Sequence, residues 1–87
     1  MQQCNSRIDA SGMAPRLNQL NASAGNDVNL LLRGTIATFD AMLDMTKPCL
    51  PNPEAQQLYA EYAKQRDAAL RTCRQISSSD NCLVSPF

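Results

Sequence analysis

TKPCLPNPEAQQLYAEYAKQRDAALRTC (residues 46–73) holds two of the four cysteines, with a complete helix written between them. Pro48, Pro51 and Pro53 stand within six residues, and a run of prolines that dense cannot continue a helix. Asn52-Pro53-Glu54 then reads as a cap, a first-turn proline and a first-turn acid, which together start one. Leu58, Tyr62, Ala69, Cys73 and Ile76 form an apolar stripe, with Tyr59, Ala63 and Leu70 beside it, so a helix is expected over 53–76. At about 1.5 Å per residue, that helix sets Cys73 about 30 Å from the proline turn containing Cys49. A disulfide needs Cα atoms within about 7 Å, so these two cysteines cannot bond to each other.

Upstream, residues 27–46 predict a second long helix. It is apolar on most of its circumference: Val28, Leu30, Leu31, Leu32, Ile36, Ala37, Phe39, Ala41, Met42, Leu43 and Met45. Such a helix must be covered on at least two sides, which makes it the central element. Asn26 or Asp27 caps its start. A shorter helix is expected over 14–23, with Met13, Leu17, Leu20 and Ala24 on one face, Pro15 in its first turn, and Gly25 as a left-handed stop. Residues 1–12 read as irregular. Residues 77–87 form a tail that starts with SSSDN and ends in the apolar CLVSPF, expected to fold back onto the body. No strand alternation, internal repeat or low-complexity tract interrupts this pattern.

The expectation is therefore one all-α domain over 1–87, a small antiparallel three- to four-helix bundle. Three antiparallel rods put the start of the first helix, the end of the second and the start of the third at one pole. Cys4 then meets Cys49, and Cys73 at the other pole is reached by Cys82. The pairing Cys4–Cys73 with Cys49–Cys82 would send about six residues, roughly 20 Å of chain, along the whole bundle. An even cysteine count in a short chain favours two such bridges and an oxidising compartment, against four buried thiols in a reduced one.

Composition narrows the function. Apolar residues are 44% and charged residues 18%, which is not the balance of a disordered chain. Eight cations offset eight anions, where a nucleic-acid binder carries a basic excess, so Lys64, Arg66, Arg71 and Arg74 read as a solvated face. There is no histidine, which removes histidine-activated nucleophiles and mixed Cys/His zinc sites, and no C-x-x-C pair. No Gly-rich phosphate loop or nucleophile motif occurs, so no enzyme and no cofactor is expected. Asp40 and Asp44, four apart on one helix face, could share a site, although a solvated face explains them as well. Glu61 with Lys64 and Asp67 with Arg71 are spaced as exposed helix pairs. Asn21-Ala22-Ser23 fits the glycosylation triplet. Tyr59 and Tyr62 are candidate anchors for a protein partner or packing residues against the second helix. Met42 and Met45 either fill the core or line an interface, a homodimer among the options. No segment is apolar over the roughly 20 residues a membrane span needs. Membrane attachment would require a lipid on Cys4, and a secreted chain would have lost a leader ahead of Met1.

AGNDVNLL, GTIATFDAML and CLPNPEAQQLYAEYAKQ, closing at AALRTC, resemble the small periplasmic immunity proteins that protect bacteria against type VI secretion effectors. The resemblance spans 24–73 and departs at Leu32 and Arg33, where that pattern carries a cysteine ahead of Gly34. RDAALRTCRQISSSDNCL is similar to the cysteine pair closing conjugative entry-exclusion lipoproteins. The first resemblance implies a periplasmic or secreted inhibitor that binds a protein effector. The second implies an envelope lipoprotein or pilotin-like assembly factor of a secretion or conjugation machine.

Overall fold

Helix α4 (Pro53–Ile76) and helix α3 (Val28–Thr46) run antiparallel because the proline segment between them leaves only a single 3-10 turn, Lys47–Cys49, and a bend. This is a computed structural model that describes residues 2–76 and 80–87. The register of the pair is visible in its contacts. The Phe39 and Tyr62 rings lie 6.0 Å apart, Arg66 Nε donates to Asp40 Oδ1 at 2.9 Å, and Asn29 reaches Cys73 at the far end. Helix α1 (Gln2–Ala10) and helix α2 (Met13–Ser23) precede them, and a second 3-10 turn, Asp80–Leu83, follows. No strand occurs among the described residues.

Each helix boundary has a local cause. Asp27 caps α3 by accepting the Leu30 N–H at 3.1 Å. Asn52 caps α4 by accepting the Glu54 N–H at 2.9 Å. Gly25, at φ +60°, supplies the left-handed residue after α2. Gly12, at φ +71°, lets the chain reverse from α1 into α2, while the Ser11 hydroxyl donates to the Ile8 carbonyl at 2.6 Å.

The N-terminal segment, expected to be irregular, is helical. Apart from the terminal Ala10, its nine residues carry only Cys4 and Ile8 as apolar groups, one turn apart. Two positions make too short a stripe to register as periodicity, yet they suffice once Cys4 is anchored. Cys4 is 1% exposed and bonded to Cys49, with a Cα separation of 6.7 Å.

Helix α3 lies in the middle, with α4 on one side, α2 on the other and the C-terminal turn across its first half. Gly34 permits the close approach of α2: a Cβ there would collide with Leu20 Cδ2. The compact core is small and polarised, made of Ile36, Leu70, Cys73 and Cys82, with Leu32 and Ala69 packed on it. The other pole buries Cys4, Thr46 and Ala55. Cys73 bonds Cys82 at a Cα separation of 6.0 Å, so each pole carries one disulfide, in the pairing that helix length requires.

The tail departs from expectation. The 3-10 turn docks on α3 and α4 and buries Cys82, but Leu83 and Val84 are 55% exposed and Phe87 46%. The bridge pins the chain at Cys82, and Leu83, Val84 and Phe87 beyond it stay in solvent, as does Val28 in the first turn of α3 at 49% exposure. Ile76, placed on the apolar stripe of α4, lies one turn past the last buried residue, Cys73, and is 55% exposed. SSSDN falls in part on residues 77–79, which lie outside the described residues.

Candidate functional site: an apolar groove and an apolar pole

Two apolar features stand open among the described residues, apart from the half-exposed Val28 at the start of α3. The first is a half-open groove of about 440 Å³ where α1, α2 and α3 meet, walled by Ile8, Met13, Leu17, Phe39 and Met42. Ala14 and Pro15 complete the α2 rim, and Thr38 lies on the α3 floor. The Thr38 hydroxyl donates to the Gly34 carbonyl at 2.8 Å, so its hydrogen is engaged within the helix. Asp9 is the one charged residue of the lining. The second feature is the chain flanking Cys73–Cys82 in sequence, where Ile76, Leu83, Val84 and Phe87 are exposed.

The six candidate partner residues separate. Met42 lines the groove; Met45 is half-buried on the same helix, outside the lining. Tyr62 sets its ring against Phe39 of α3, with the centroids 6.0 Å apart, and Tyr59 is half-buried. Asp40 is bound to Arg66, whose Nη1 also reaches Asp67 at 3.4 Å. Asp44 pairs with Lys47 at 3.2 Å, and that carboxylate, with a smaller contribution from Tyr59, holds the Lys47 ammonium above its ordinary pKa. The two carboxylates thus serve separate cations and form no joint acid–base site. No cluster of metal-ligating residues occurs among the described residues. The expected pairs at Glu61 and Asp67 are replaced: Glu61 accepts from Gln65 at 2.9 Å and Asp67 from Arg66.

Sequence reading placed Met13, Leu17, Phe39 and Met42 on apolar faces but did not join them, and it missed Ile8 and Asp9. Their signal was the Cys4–Ile8 spacing, which becomes legible only when the first segment is known to be helical. No helix among the described residues is long and apolar enough to cross a membrane. Compared with models of known protein families, with curated proteins and with solved structures, the chain matches none of them.

Proposed function

We propose that this chain is a small disulfide-stapled protein of the periplasm or the extracellular space that binds another protein, as an immunity protein or inhibitor neutralising a secreted bacterial effector. The observation that carries the binding reading is the apolar pole. Four large apolar side chains, Ile76, Leu83, Val84 and Phe87, are about half exposed and stand within five residues of a cysteine of one disulfide. Apolar groups held at a covalently pinned site lose less conformational freedom on association than the same groups on a free tail. Two bridges support the compartment, since structural disulfides persist where thiols are not kept reduced. The immunity role itself rests on the resemblance of 24–73.

The envelope-lipoprotein alternative would need the Cys4 sulfur for a thioether, and here that sulfur is bonded to Cys49 and buried. An assembly-factor role without a lipid stays distinguishable by its partner. Affinity capture from the native source, mass spectrometry and a binding titration with the purified partner test the proposal. The expected result is a toxic effector as partner, its activity suppressed by the wild-type chain, and at least tenfold weaker binding by L83D/V84D. An envelope-machine subunit as partner would overturn the inhibitor role. Unchanged binding by L83D/V84D would overturn the assignment of the surface.

A further inference from the structure

The groove between α1, α2 and α3 has the dimensions and lining of a ligand site independent of the apolar pole. Its volume of about 440 Å³ falls within the roughly 300–1,000 Å³ of small-molecule clefts, which are mostly apolar with a few placed polar groups. At about 30 Å³ per water-sized group, it has room for on the order of a dozen methylenes. The groove is narrow in polar chemistry: Thr38 spends its hydrogen on Gly34, so its hydroxyl oxygen and the Asp9 carboxylate can accept hydrogen bonds but not donate them. Asp9 is exposed, forms no ion pair among the described residues, and sits in the last turn of α1, where a negative charge meets the negative end of the helix dipole. Arg7 shares that turn without pairing to it, and Arg16 is turned to the Met13 sulfur at 4.0 Å. The apolar body of the groove and the unmatched anion at its edge are complementary to one kind of molecule.

We infer that the groove binds a single-chain cationic amphiphile, an aliphatic chain of about ten carbons bearing an ammonium or guanidinium head that pairs with Asp9. The α1 wall, which supplies Ile8 and Asp9, has Cys4 as its only buried described side chain, and Cys4 is held by the bridge to Cys49. Ligand binding is therefore tied to that disulfide and not to Cys73–Cys82. The chain has a net charge of zero, so a preference for a cation over an anion must come from local charge rather than from the whole molecule.

The test is calorimetric titration of the full chain with n-decylammonium, decanoate and decanol below their micellar concentrations. Saturable 1:1 binding of decylammonium, at least tenfold tighter than decanoate, is expected. D9N should abolish that preference while retaining decanol binding, and M42W should fill the groove and remove binding of all three at an unchanged circular-dichroism spectrum. C4S/C49S should lose binding, and C73S/C82S, verified as folded, should keep it. Equal affinity for decanoate and decylammonium overturns the head-group assignment. Undiminished binding by M42W overturns the site. A wild-type dimer that M42W dissociates assigns the groove to a second copy and also overturns the proposal. None of these outcomes depends on the partner bound at the apolar pole.

Discussion

Removing the two bridges one at a time should cost unequal amounts, and the order follows from loop length. Cys4–Cys49 joins residues 45 apart and Cys73–Cys82 residues 9 apart. The chain-entropy relation assigns them about 4.0 and about 2.6 kcal/mol at 25 °C, a difference of about 1.4 kcal/mol set by the logarithm of the loop ratio. Alanine substitution alone would blur this, because Cys4, Cys73 and Cys82 are all buried and their sulfurs also pack. The cleaner experiment uses C73A/C82A and C4A/C49A, each retaining one bridge, and measures urea unfolding before and after reduction by a phosphine. Reduction then changes one covalent bond at nearly constant packing. A chain of this size has a stability of roughly 4–13 kcal/mol. Reducing C73A/C82A should therefore remove a third or more of it and lower Tm by roughly 16–30 °C. Reducing C4A/C49A should lower Tm by roughly 10–20 °C. Amide exchange supplies the spatial check: the first reduction should expose residues 2–12 to rapid exchange, because a nine-residue helix is not stable alone in water. An equal or larger cost for Cys73–Cys82, or α1 amides still protected without Cys4–Cys49, would refute the reasoning.

Ile36→Ala should destabilise by about 2–5 kcal/mol, since Ile36 is 1% exposed at the centre of the core; a loss below about 1 kcal/mol in chemical denaturation would contradict that. Gly34→Leu should cost about 1–3 kcal/mol by forcing α2 off α3, whereas Gly34→Ala should change stability little. In the alanine case the collision is with the flexible tip of Leu20, and helix propensity returns up to about 1 kcal/mol. Asp40→Asn should cost less than about 1 kcal/mol, because the Asp40 side chain is 48% exposed and its bond to Arg66 is screened by water and salt. Lys47 is raised above its ordinary 10.5, so its interaction with Asp44 is complete below that pH and fades as pH rises through the folded value. NMR titration should show the Lys47 pKa falling back toward 10.5 in Asp44→Asn, with stability insensitive to this pair between pH 6 and 9.

Helices α2, α3 and α4 and both sulfur pairings were legible in the chain because each rests on local information. The stops are proline and glycine, the caps are Asp27 and Asn52, and a rigid rod of known rise excludes the wrong cysteine partners. The charge pairs were less legible: spacing suggested Asp67 with Arg71, but Arg66 lies nearer once α3 brings Asp40 beside it.

Tertiary structure alone decided α1, the groove and the exposed pole. Cys4 and Ile8 cannot announce a helix by periodicity, and α1 holds its place through a bond to a residue 45 positions away. The groove draws its walls from three successive helices between Ile8 and Met42, and periodicity within any one helix does not show how the three faces meet. Whether an apolar tail is buried depends on whether a neighbouring surface is still vacant. Cys82 is seated by its bridge, but Leu83, Val84 and Phe87 beyond it stay about half exposed, which no local pattern in the chain announces.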